Sequence, residues 1–366
     1  MAAQDPTDGF VVGDPGLRSI GALAFGPGDV LFVADSEGGK VVAVDVADPA
    51  TEAASGPFDL ADLDTTLATY LGCDVGDVAV RDLAVHPRTG NIYLSVMRGT
   101  GTAGQPVLVR IDRHDGSLAD LPLDRVAHAV AALDDAPAED DPRQDVRLGE
   151  GEPFEFNGRT IRIARIPARL SAITDMAYVD GTLLVAGLSN EEFASTLRRI
   201  PFPFDGRQES TALEIFHVSH GKWETAAPIR TFVPYEGGQS VLASYTCTPL
   251  VHFPMAELVP GGRATGRTVA ELGAGNQPLD IVRFEQDGAE HLLVSHTSHP
   301  LMKIACADID VQAPLTEPKE PVGVPRQLPD LTGVSLMANL DDDHLLALQA
   351  DDTGTRHLRS LKVASL

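Results

Sequence analysis

The chain has 366 residues, 43% of them hydrophobic, and its 53 acidic against 28 basic residues give a formal net charge of −25. Such an excess of carboxylates argues against nucleic acid and anionic membranes as partners, because their phosphates need Lys and Arg; it favours cationic ligands, metal ions or a basic partner, or, spread evenly, simply solubility. No stretch approaches the roughly 18 apolar residues of a membrane span, and Met1 to Asp5 has neither a basic start nor an apolar signal segment, so the chain reads as cytoplasmic as written, or exported if a leader has been removed. Its three cysteines, Cys73, Cys247 and Cys306, are too few and too scattered for a disulfide framework or a zinc-finger spacing.

Taken in chain order, the first element is a short apolar strand at Phe10-Val11-Val12 with no companions of its own. Six times thereafter an apolar strand ends in a small residue and a variable one, passes through a loop, and resumes as a second apolar strand. The pairs are 31–35 with 41–44, 92–96 with 107–110, 183–187 with 196–200, 241–245 with 250–253, 292–296 with 301–304, and 345–349 with 358–361. Tight turns rich in Gly, Pro, Asp and Asn, such as 26–29 and 86–91, precede them. A supersecondary unit repeated to the C-terminus predicts radial β architecture, a single all-β domain over 1–366 folded as a six-bladed propeller. Ala34, Ser95, Ala186, Ser244 and Ser295 occupy matching positions, and their small size predicts close approach of an adjacent blade.

Two insertions interrupt the cadence. In 58–72, Leu60, Leu63, Leu67 and Leu71 recur at helical spacing and Gly72 offers a stop. In 123–170, an acidic Pro-containing stretch at 134–142 precedes a hairpin pattern at 154–163, which predicts an exposed tip backed by a strand pair. The last repeat ends soon after its third strand, so the N-terminal strand is expected to pair with 356–363 and close the ring.

In a propeller the loops leading into each new blade and those between its second and third strands gather on one face. That places Asp35, Arg98 with the Gly99-Thr100-Gly101 turn, Asn190, Glu191, Tyr245 and Asp351 as ligand-binding candidates around the channel mouth. Asp280 and His296, on neighbouring strands, form a candidate acid–base pair, and Cys247 a candidate nucleophile. Asp82, Asp175 and Asp280 recur at one repeat position, which equally fits carboxylates that bond backbone between blades. His217, His220 and Glu224 form a second cluster. On a strand the two histidines would face opposite ways, but a turn at Gly221 brings imidazole and carboxylate together as ligands for zinc, copper or iron. His296 and His299 are further candidate ligands.

The segments 22–36 and 39–45 resemble the repeats of NHL and SMP-30/gluconolactonase-like six-bladed propellers. The resemblance implies the fold over most of the chain. Families of this shape include calcium- or zinc-dependent lactonases and esterases, strictosidine-synthase-like enzymes and non-catalytic binding modules. Their Glu, Asn and Asp metal ligands are not matched here, and Gly149-Glu150-Gly151-Glu152-Pro153, similar to a lactonase opening, lies inside an insertion and carries no role over. Three readings therefore stand: a monomeric propeller that binds a small molecule or a divalent metal ion at the channel mouth, with metal-assisted hydrolysis of lactonase or esterase type open to it; a non-catalytic scaffold for a protein ligand; and a His-ligated copper or iron redox protein.

Overall fold

The computed structural model of the chain describes residues 5–50, 52–99, 104–156, 159–273, 275–319 and 322–366. Each predicted pair forms the second and third strands of an antiparallel blade, with an inner strand before it. Those inner strands are Leu23–Phe25, Val78–Val85, Asp175–Val179, Thr231–Tyr235, Pro278–Gln286 and Val334–Asp341, in blades one to six. Continuous apolar runs such as Val30–Asp35, buried throughout, are what strands covered on both faces require. Each of six apolar clusters is shared by two adjacent blades, so the core is a ring of inter-blade wedges.

The order of the blades around the ring departs from their order in the chain. Inner strands of blades one and two are neighbours, but blade two also meets blade six, and blade one meets blade three. Around the disc the sequence is therefore two, one, three, four, five, six. The cause is the strand Val126–Ala132: after completing blade two the chain returns to pair with Lys40–Asp45 as the fourth strand of blade one, and only then enters blade three. The expected closure is corrected accordingly. The N-terminal strand Val11–Gly13 pairs with 126–128 on the outside of blade one, and the edge of blade six is bridged instead by Leu60, which exchanges backbone hydrogen bonds with Leu358.

The helix in the first insertion is Leu63–Leu71, capped by the Asp62 side chain, which accepts from Thr65 N, and ended by Gly72 in the left-handed region at φ 64°. Leu63 and Leu67 seal the wedge between blades two and six. Gln144–Phe156 and Arg159–Pro167 pair antiparallel as the second insertion's strand pair, and residues 157–158 lie outside the described residues. Its base is fixed to the face of blades three to five rather than hanging free. Buried Asp145 accepts from both Arg230 guanidinium nitrogens at 2.7 and 2.6 Å and from the Ser171 hydroxyl at 2.5 Å, and Leu148 N donates to Gln277 Oε1.

The recurring aspartates are inter-blade ties. Asp82 accepts from Leu23 N of blade one, Asp175 from Phe232 N of blade four, and Asp280 from Met337 N of blade six, while each also accepts from the N–H that follows it. Burial raises all three carboxyls, Asp82 and Asp175 to about 7, and Asp280 is pushed further by repulsion from the other two. The matching small residues are buried as expected, and Ser95 and Ser295 donate to carbonyls of the neighbouring blade. At Gly187 the approach is so close that a Cβ would collide with the Ala172 carbonyl.

Candidate metal centre

The outer strand of blade three, Glu209–His217, runs past the sheet and stops at His217. Residues 218–220 make one 3-10 turn, Gly221 takes φ 62°, and Lys222–Glu224 folds back antiparallel on the strand end. This turn undoes the strand alternation that would have separated the histidines. Their ring centroids lie 3.9 Å apart, and Glu224 holds both: Oε2 is 2.7 Å from His217 Nδ1 and Oε1 is 2.7 Å from His220 Nδ1. Burial opposes the Glu224 charge, but hydrogen bonds from His217, His220 and Lys222 hold the carboxyl down at about 2.

Blade four supplies the other side. Cys247 sits in the loop between that blade's second and third strands, and ligand atoms of His217, His220 and Cys247 all lie within 4.8 Å of one another. The loop backbone is unusual, because Cys247 and Thr248 both have positive φ, 64° and 62°. A β-branched residue in that region stores strain. Cys247 N donates to Asn276 O at 2.7 Å, and Thr248 Oγ1 donates to Gly273 O at 2.8 Å, which holds the thiol in place. Glu271, ending the blade's fourth strand with no exposed surface, puts Oε1 3.7 Å from His217 Nε2. His217 is 3% exposed, whereas His220 faces solvent with Lys222 beside it.

The cluster joins residues that sequence assigned to different roles: the metal candidates His217, His220 and Glu224, and the candidate nucleophile Cys247. Glu271 was missed, because it reads as an ordinary strand end.

The remaining candidates lie elsewhere. Asp280 and His296 do not pair, since a register shift sets Pro278 opposite His296 and turns the Asp280 carboxylate toward blade six. His296 is 6% exposed, and burial, then repulsion from His299, pushes it down to about 4. The two rings are 6.4 Å apart, and His299 packs against Gly273, so neither joins the cluster. Asp35 is buried and accepts from the Arg18, Ser19 and Gly38 backbone, a loop-tying role. Tyr245 is core, its hydroxyl raised by burial and set beside Ser195. Exposed Asp351 is held well below the usual carboxylate range by bonds from Thr353 and His357. Arg98 ends its strand half-buried, and Thr100 and Gly101 of its turn lie outside the described residues. Asn190 and Glu191 line a cleft of about 870 Å³ on blade three with Asp134, Asp135 and Phe193, over whose ring Arg263 stacks at 4.8 Å.

No protein-family model matches the chain, and no curated protein sequence does. Solved structures resemble it in shape. A putative oxidoreductase (glucose dehydrogenase) from Thermus thermophilus is 14% identical with a TM-score of 0.36, over 96% of this chain and 100% of that one. The aldose sugar dehydrogenase of Streptomyces coelicolor, in its PQQ-bound form, is 12% identical with a TM-score of 0.35, over 96% of each chain. A streptogramin B lyase is 10% identical with a TM-score of 0.32, over 96% and 97%. At these values no residue role or activity passes to this chain, which the structure defines as a six-bladed propeller. No helix among the described residues is long and apolar enough to cross a membrane.

Proposed function

We propose that this propeller binds a first-row transition-metal ion where blades three and four meet, through His217, His220 and Cys247. One observation carries the reading: a single carboxylate, Glu224, engages Nδ1 of both imidazoles. That fixes each ring with Nε2 as the available donor, the arrangement that orients histidine ligands and raises their basicity. The thiol adds a soft ligand, which favours zinc, cobalt or copper over calcium or magnesium. Ligand–ligand distances in a tetrahedral site are about 3.3–3.8 Å given bonds of 2.0–2.3 Å, so ligand atoms that lie within 4.8 Å of one another would draw together by up to about 1.5 Å around an ion. The histidines end the outer strand of blade three, whereas the hairpin base bonds Ser171, Arg230 and Gln277, which lead into the inner strands of blades three to five. The test is elemental analysis after dialysis against zinc and then metal-free buffer: about one ion per chain is expected, and none in His217→Ala or Cys247→Ser.

The strained Cys247–Thr248 backbone favours a second reading, a thiol nucleophile with His217 as base and Glu224 as its orienting carboxylate. A thiol hydrolase of this kind would use His217 and Cys247, whose side chains lie together in the cluster. Metal-free protein releasing a burst of product from an activated ester, abolished in Cys247→Ser, would support it; no burst would remove it.

A further inference from the structure

We infer that the far half of the inserted strand pair is a dimerisation arm, which stacks face to face on the same arm of a second copy of the chain. This is independent of the metal reading and replaces the monomer expected from the sequence. Beyond Leu148 the strand pair leaves the body of the propeller. Every residue from Gly149 to Glu155 is exposed, and so are Thr160, Arg162, Ile163 and Arg165 on the returning strand. Phe154 lies directly opposite Ile161, and strand alternation puts Ile163 on the same face. That face carries Phe154 at 45% exposure and Ile163 at 37%, in a sheet of only two strands among the described residues. Two strands alone are marginally stable in water, so an apolar face on such a pair calls for a cover.

Charge identifies the cover. Over 150–156 the outgoing strand carries Glu150, Glu152 and Glu155 and no basic residue, whereas over 159–165 the returning strand carries Arg159, Arg162 and Arg165 and no acidic one. One long side of the arm is thus acidic and the other basic, in a chain whose net charge of −25 otherwise keeps copies apart. Among the described residues, none of Glu152, Glu155, Arg162 and Arg165 forms a salt bridge within the chain; the ion pairs of the strand pair, Arg147 and Arg230 with Asp145, belong to its base. Turning a second copy by half a turn about the strand direction sets each acidic strand over the partner's basic strand, with the apolar faces between sheets about 10 Å apart. Other occupants fit less well. An anionic membrane or a nucleic acid is repelled by the acidic body, and a lipid interior would take Phe154 and Ile163 only together with the neighbouring carboxylates. A basic protein finds its attraction on the acidic body rather than on a segment whose charges balance.

The experiment is sedimentation velocity of the full chain at concentrations of about 1 to 100 µM. Wild-type protein is expected to shift with concentration toward twice its 38.7 kDa, and less so as salt rises. Phe154→Ser with Ile163→Ser should weaken association at least about a hundredfold, each change counting twice in a two-fold contact. Both side chains are exposed, so the melting temperature of the monomer should hold. Arg162→Glu with Arg165→Glu should not self-associate, nor should Glu152→Arg with Glu155→Arg, but the two variants mixed should pair. Wild-type protein that stays monomeric throughout would overturn the inference. Wild-type protein that is monomeric yet carried down by phosphatidylcholine vesicles would assign the face to lipid and overturn it equally. A dimer untouched by the serine changes, or mixed charge variants that ignore each other, would place the contact elsewhere and refute the arm.

Discussion

Asp175→Ala tests how the ring is held together. The Asp175 carboxylate accepts from Met176 N in its own blade and from Phe232 N in blade four, so its removal leaves two donors at the blade junction without their acceptor. An unsatisfied buried donor costs about 1–3 kcal/mol. Titration adds a pH signature. The carboxyl is raised by burial from 3.8 to about 7, so the folded state holds the proton more tightly than the unfolded one. Its contribution is fully present below pH 3.8 and is lost as pH rises through 7. Most of it survives at pH 5 and almost none at pH 8, a difference of about 2.7 kcal/mol by linkage. Urea denaturation at the two pH values should therefore show a cost of about 4–6 kcal/mol at pH 5 and about 1–3 kcal/mol at pH 8. An equal cost at both, or one below about 0.5 kcal/mol, would refute the inter-blade tie as described.

Arg230→Ala strips the bidentate partner from buried Asp145 and should cost about 3–5 kcal/mol, with new proteolytic cleavage within 144–167; an unchanged digest would show that the hairpin base is anchored otherwise. His296, pushed down to about 4 by burial, loses its stabilising neutral form as pH falls from 6.5 through 4, by up to about 3 kcal/mol; His296→Gln should flatten that loss in thermal melts, and a parallel pH profile would contradict it. Leu60→Pro removes the N–H that donates to Leu358 O and should cost on the order of 1–3 kcal/mol, whereas deletion of residues 1–14, which frees only a three-residue outer strand, should lower the melting temperature less. The reverse ranking would restore N-terminal closure. Zinc at a hundred times its Kd should stabilise wild-type protein by about 2.7 kcal/mol and leave Cys247→Ser unmoved.

The blades were legible because each second strand is an apolar run ending in a small residue and a variable one and bounded by turn residues, as in 241–245 and 292–296. The ring order was not. It depends on 126–132, a weakly patterned strand, which pairs with 40–45 only after a whole blade has intervened. The same distinction divides the site. His217, His220 and Glu224 lie within eight residues around Gly221, so their convergence follows from one local turn. Cys247 and Glu271 reach them only through the packing of blade four on blade three, which no local spacing encodes. The Asp280–His296 pair failed for a related reason: strand adjacency is visible in sequence, but the register shift between Pro278 and Asp280, which sends the carboxylate to the next blade, is not.

The metal centre is tested most directly by an anomalous-difference map measured at the zinc edge from crystals of the zinc-soaked protein. The account predicts one strong peak between blades three and four, about 2.0–2.3 Å from His217 Nε2, His220 Nε2 and Cys247 Sγ. A map with no peak there, or with the ion bound through the Nδ1 atoms and Glu224 displaced from both rings, would contradict it.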